Sequence, residues 1–330
     1  MRLALFSARS STNRAGFTLL ELLLALAILG VLSTLALNAF TQSLNYKRHE
    51  DLRLKTQQNL RAALHYVTQD LRSGAYLHVW HQSPCDATRP CSNHTQVAIV
   101  GLTGDSSPVA EPPGNSFTNS AETGVCDARA FQEGDLVLLY NGDQVQLLRI
   151  TQRQLLADPN QPCSGPPNPN RDKIQHNQDR ISGQWTNSAY VFKVDLATYV
   201  VRDDPLEAGR KVLYRMTGYG TRGAGAETGY GDTMTGAGIV AFGITGLEVW
   251  YGVPEDPNAQ SSRLVFYPTL EEAAAAFSAQ GYSATPGEGR YIGTLVRAVR
   301  VALTGESPGD LPGKGTPDRF TVTETVELRR

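Results

Sequence analysis

Residues 17–40 read FTLLELLLALAILGVLSTLALNAF, 24 residues with a single charge, Glu21. As an α-helix this run extends about 36 Å at ~1.5 Å per residue, enough to cross the ~30 Å hydrocarbon core of a bilayer. A helix that is apolar on every face has no side to turn to water, so a membrane-spanning segment is predicted. Upstream, MRLALFSARSSTNRAG carries Arg2, Arg9 and Arg14 and no acid. By the positive-inside rule that end stays in the cytoplasm and the chain beyond residue 40 lies outside it. An ordinary secretory signal needs small residues behind the apolar run, and Leu37-Asn38-Ala39 is a poor site of that kind. The small residue that stands out is Gly16, directly before the run, where a cut discards the basic leader and keeps the helix.

Glu21 needs a physical account. A carboxylate within about 6 Å of Phe17 along the helix costs roughly 3 kcal/mol or more in hydrocarbon, so it must snorkel, protonate or find a partner. A cut between Gly16 and Phe17 creates an α-amino cation at nearly the same depth. Pairing that amine with Glu21 of an adjacent subunit neutralises both, which favours assembly over a lone monomer.

Gly16-Phe17-Thr18-Leu19-Leu20-Glu21, followed by the continuous apolar run, resembles the class III signal of type IV pilins and of the pseudopilins of type II secretion. The resemblance implies that a membrane aspartyl protease, the prepilin peptidase, cuts after Gly16 and methylates the nitrogen of Phe17. The family's glutamate at the fifth mature position falls on Glu21. It also implies an inner-membrane, single-pass precursor, stored in lipid and later drawn by an assembly platform into a pilus or pseudopilus of similar subunits.

Beyond Phe40 helical spacing continues. Leu52, Thr56, Leu60, Leu64, Val67 and Leu71 form one mostly apolar stripe, while Arg48, Glu50, Arg53, Lys55, Arg61, Gln69, Asp70 and Arg72 take mostly other faces. Ser73-Gly74 supplies a stop. The parts expected are therefore a leader over 1–16, a membrane or fibre-core helix over 17–40, its amphipathic continuation over 41–74, and a β-rich head over 75–330. Strands are predicted over 96–102, 134–140, 144–151, 189–195, 210–216, 239–251, 263–267, 295–303 and 320–328. Asn141-Gly142-Asp143 turns the second into the third as a hairpin. Thr269-x-x-Glu272 before an alanine run ending at Gly281 predicts a short helix. A long helix followed by antiparallel strands is the pilin-like α+β class. QNLRAALHYVTQDLRSGAYL (58–77), the hairpin, Leu213-Tyr214-Arg215-Met216 and the last two strands further resemble the PilW and PulJ type of minor subunit, which implies a part in priming fibre assembly; the Cys-containing and Gly-rich insertions depart from that pattern.

Cys85, Cys91, Cys126 and Cys163 all follow the membrane segment, where disulfides are the expected state. Three pairings are open, and proximity favours Cys85 with Cys91 and Cys126 with Cys163. His78, His81, Cys85, Cys91 and His94 crowd into 17 residues, but at no standard zinc spacing, so no metal is assigned. Residues 217–243 are Gly-rich, and a strand rather than a helix is expected behind them, which argues against a phosphate cradle; Tyr219, Tyr230 and Asp232 could offer a contact surface. No catalytic triad, carboxylate pair or nucleotide and cofactor fingerprint is found, so no enzyme is read. A formal charge of -2, moving to about -5 when the leader's three arginines leave, argues against a broad electrostatic nucleic-acid footprint, although a local patch for DNA uptake or adhesion stays open.

Overall fold

The structure is a computed structural model that describes residues 18–77, 92–110, 121–142, 144–157, 171–176, 181, 185, 188–217, 238–258, 263–285, 289–307 and 317–328. Helix α1 is Leu19–Ser73, 55 residues long. At ~1.5 Å per residue it measures about 82 Å. Residues 18–48 are exposed throughout, and only the second half is held by the head. There Thr56, Leu60, Ala63, Leu64, Val67, Thr68 and Leu71 are buried, the predicted stripe except for Leu52, which is only half-buried, with Ala63 and Thr68 filling its flank.

The strands follow in order as β1 (Gly74–Leu77), β2 (Gln96–Pro108), β3 (Glu122–Val125), β4 (Leu136–Asn141), β5 (Gln144–Arg149), β6 (Gln152–Gln154), β7 (Asp172–Gln175) and β8 (Tyr190–Asp203). Then come β9 (Lys211–Thr217), β10 (Gly238–Phe242), β11 (Ile244–Pro254), β12 (Leu264–Tyr267), helix α2 (Leu270–Ala276), β13 (Tyr282–Ser283), β14 (Arg290–Tyr291), β15 (Ala298–Glu306) and β16 (Arg319–Glu327). The larger sheet centres on β8, which pairs with β2 along one edge; its other edge is shared by β4 over residues 190–194 and β9 over 197–203. The second sheet runs β12-β11-β15-β16, and β3-β7-β6 make a third. The two larger sheets meet where β11 packs against β2, β8 and β9, and α1 lies over β15, β16, β10 and β2.

The sequence LVLLY in β4 is buried on both sides because two clusters share it. Leu136 and Leu138 face the main core beneath α1, and Val137 and Leu139 face a second cluster with Phe131, Ile174 and Trp185 under the third sheet. Gly142, at φ 66°, turns β4 into β5 as the Asn-Gly signal requires.

Two expectations are corrected. Residues 239–251 are not one strand but two in different sheets, because Gly243 adopts φ 72° between them and an added Cβ there would lie 3.1 Å from the Glu306 carbonyl oxygen. The strand expected from Leu295 begins at Ala298; Leu295 and Val296 are buried just after a short 3₁₀ turn at Ile292–Thr294, and apolar content alone does not distinguish such residues from a strand. Gly74 ends the helix as expected, with extended backbone, φ -71° and ψ 142°. Glycine is needed there for space, since a Cβ would approach Ile99 Cγ2 to 2.5 Å.

Candidate functional site

The functional element is α1 itself, read from its first residue. Thr18 is the N-cap in extended conformation, φ -72° and ψ 148°. Its hydroxyl accepts from the Glu21 N–H at 3.3 Å, and Glu21 Oε2 accepts from the Thr18 N–H at 3.0 Å and from the Thr18 hydroxyl at 3.1 Å. This is a reciprocal capping box, which satisfies two backbone donors that a helix start leaves orphaned. Sequence reasoning recognised the same T-x-x-E pattern at Thr269 yet passed over it at Thr18, where the apolar run and the cleavage signal dominate. Gly16 and Phe17, the expected processing residues, lie outside the described residues.

From Leu19 onward the helix carries an 18-residue window of mean hydropathy 2.4, none of it buried, and is long and apolar enough to cross a membrane. Leu19, Leu22, Ile28, Leu35 and Phe40 are all more than half exposed. The hydroxyls of Thr34 and Thr41 bond back to the carbonyls of Gly30 and Leu37 at 2.8 and 3.0 Å, so both are satisfied without water.

Where the helix enters the head it is fastened at several levels. Arg53 lies 5.3 Å from the Phe320 ring centroid, and Arg72 reaches Glu324 at 2.6 Å, contacts that are exposed and individually weak. The stronger anchor is Asp70, whose Oδ2 accepts from the buried Tyr199 hydroxyl and from Arg215 Nε, each at 2.7 Å. Burial first, then the hydrogen bond and charge of Asp70, hold the Tyr199 phenol protonated well above its ordinary range. Burial pulls the Arg215 guanidinium down, but the bond and charge of Asp70 outweigh it and the group is raised. Asp70→Ala strands a buried phenol and an arginine, and a loss of about 2–3 kcal/mol is expected. Chemical unfolding checks this: Asp70→Ala with Tyr199→Phe should lose less than the two single effects summed.

The remaining candidates divide by position. Cys126 is disulfide-bonded; Cys85, Cys91 and Cys163 lie outside the described residues, so the pairing is not fixed by geometry. His78 and His81 also lie outside them. His94 is described, its Nδ1 3.0 Å from the Val249 carbonyl oxygen and its ring edge-on to Trp250. Among the described residues no group of three metal-ligating side chains forms. Tyr219, Tyr230 and Asp232 of the Gly-rich stretch are outside the described residues. Asp172, the buried first residue of β7 in the third sheet, accepts from the N–H groups of Ala128, Leu156 and Ala157 at 2.7–2.8 Å and is thereby a structural clasp. Two grooves open beside α1. One of about 440 Å³ lies between Lys55 and Asn59 on the helix and Lys211 and Phe242 on the head, and one of about 560 Å³ is lined by Asp70, Asp195 and Arg215.

Comparison with known families matches residues 11–37 to the prokaryotic N-terminal methylation motif. No curated protein and no solved structure matches the chain. The matched segment spans Gly16, Phe17, the Thr18–Glu21 cap and most of the exposed apolar run. This motif is the class III signal and supports a likeness to type IV pilins and pseudopilins over those residues, and the long apolar helix ahead of an antiparallel head is consistent with a pilin-like α+β fold. In general the motif implies processing by a prepilin peptidase and assembly with other pilin subunits.

Proposed function

We propose that this chain is a minor pilin of the PilW-like type, stored in the inner membrane with its head outside the cytoplasm and drawn by the assembly platform into a type IV pilus, where it helps to prime the fibre. The observation that carries the reading is the continuity of α1: an exposed apolar half passes without a break into a half whose stripe is buried in the head. Such a helix can leave lipid for a bundle of equivalent helices while the head stays folded, because among the described residues the segment that moves, 18–48, is exposed throughout. The minor-subunit assignment is supported by the likeness of the distal helix, the β4–β5 hairpin and the last two strands to PilW-type subunits. Disulfides, paired as Cys85–Cys91 and Cys126–Cys163, would tie the head's loops in the oxidising space outside the cytoplasm. The protein undergoes chemistry in processing and performs none.

The test is the intact mass and N-terminal sequence of membrane-extracted protein from cells with and without the prepilin peptidase. The expected start is N-methylated Phe17, dependent on the peptidase and lost in Gly16→Ala. A start at Met1, or after Ala39, overturns the reading.

A further inference from the structure

Where α1 enters the head its two flanks are unlike. On one flank the groove of about 440 Å³ is walled by Leu52, Lys55 and Asn59 of the helix and by Lys211, Phe242 and Pro317 of the head. Its charge is not balanced from within. Glu306 is taken by Arg319 at 2.5 Å and Arg210 by Glu207 at 2.6 Å, which leaves Lys55 and Lys211, both exposed, without an ion pair among the described residues. Its wall is apolar as well, and the Phe242 ring stands more than half exposed. Two ammonium groups beside uncovered apolar surface call for a carboxylate next to an exposed apolar side chain.

The opposite flank of α1 carries that pair. Glu50 is half-buried and has no hydrogen bond or ion pair among the described residues, and Leu54, one turn on and on the same face, is more than half exposed. At ~100° per residue Glu50 lies about 180° around the helix from Asn59, with the head-facing Leu60 between them, roughly 90° from each. Chains anchored in one membrane hold their helices parallel, and parallel copies meet by unlike flanks, the heterologous contact that repeats into an open filament. Glu50 and Lys55 are five residues apart, so the neighbour stands about 7.5 Å further along the helix axis at ~1.5 Å per residue.

We propose that this groove is the docking site for the Glu50–Leu54 turn of α1 from a second copy of the chain, the carboxylate meeting Lys55 and Lys211 and the leucine meeting Phe242. The proposal rests on the reading above for the parallel, membrane-anchored helices.

The test uses the full-length protein in detergent, extracted from cells that contain the prepilin peptidase and that express it in two forms with different tags. The fraction of one form captured with the other is measured at low and high salt for wild type, Glu50→Lys, Lys55→Glu with Lys211→Glu, and all three substitutions together. Expected is wild-type capture that weakens with salt, a fall of about tenfold at low salt for either reversal, since like charges then face each other, and recovery when the three are combined. Urea unfolding of each variant should match wild type, because the substituted side chains do not pack in the core. Absence of captured wild type, which leaves the groove to a different kind of subunit or to lipid, overturns the proposal, as does capture that ignores the reversals or fails to recover in the triple variant. The N-terminal sequence of the same samples keeps the two readings apart. A start at Met1 removes the functional reading, while the charge swap still decides the contact.

Discussion

Leu60→Ala is expected to lower the stability of the head by about 3–4 kcal/mol, within the range seen when a fully buried leucine is truncated and the site cannot collapse. Leu60 is 0% exposed and sits against Gly305 of the second sheet. A Cβ at Gly305 on β15 would lie 3.1 Å from Leu60 Cγ and 3.1 Å from the Gly243 carbonyl oxygen. That glycine is what lets the leucine seat, and Gly243 is in turn the residue that splits β10 from β11. Three elements therefore close around one side chain, and none is free to move into the space an alanine leaves. Leu54, one face away and 52% exposed, serves as the control: Leu54→Ala should change stability by no more than about 0.5 kcal/mol. Unfolding of the detergent-solubilised protein in urea, followed by tryptophan fluorescence, reads both, since Trp185 is fully buried in the head. Equal effects of the two substitutions would show that the stripe does not hold the helix.

That contrast marks where the sequence was legible. Spacings of three and four picked out Thr56, Leu60, Leu64, Val67 and Leu71, because a helix lying on a sheet buries one face and the period is visible in the residues themselves. The β4–β5 hairpin was equally open to reading, since Asn141-Gly142 states its own turn geometry. Gly243 was not. A glycine inside an apolar run reads as a tolerated gap until the backbone is seen to need φ 72°. The third sheet was also missed. Its strands β3, β6 and β7 are three or four residues long, too short for a period, and are held by the buried Asp172 carboxylate and the cluster around Trp185.

The candidate site shows the same division. The proposed cleavage signal is linear, so Gly16, Phe17 and Glu21 are named from adjacent residues alone. The anchor of Asp70 to Tyr199 and Arg215 joins positions 129 and 145 residues apart, and no local pattern announces it. Thr18 lay between these cases. Its signal was local and plain, but a threonine beside a processing site reads first as part of the signal and only then as the cap of a helix.

Glu21→Gln is the substitution from which the largest loss of assembly is expected. Glutamine retains an oxygen for the Thr18 N–H, and Q is as acceptable as E at this position of a capping box, so the start of α1 is preserved. What disappears is the negative charge that, in the proposed fibre, faces the Phe17 amine of a neighbour. Leaving one member of a buried ion pair without its partner costs about 3–5 kcal/mol, far more than the intact pair contributes, because the remaining charge stays desolvated. Each 1.4 kcal/mol is tenfold in an equilibrium, so incorporation into sheared fibres should fall by at least about a hundredfold while the subunit accumulates in the membrane. Glu21→Asp, which keeps the charge at shorter reach, should fall between. The comparison separates the carboxylate's two tasks: if only the cap matters, Glu21→Gln resembles wild type, whereas if the charge matters it resembles Glu21→Ala. Wild-type incorporation of the glutamine variant would remove the inter-subunit pairing and leave Glu21 as a helix cap only.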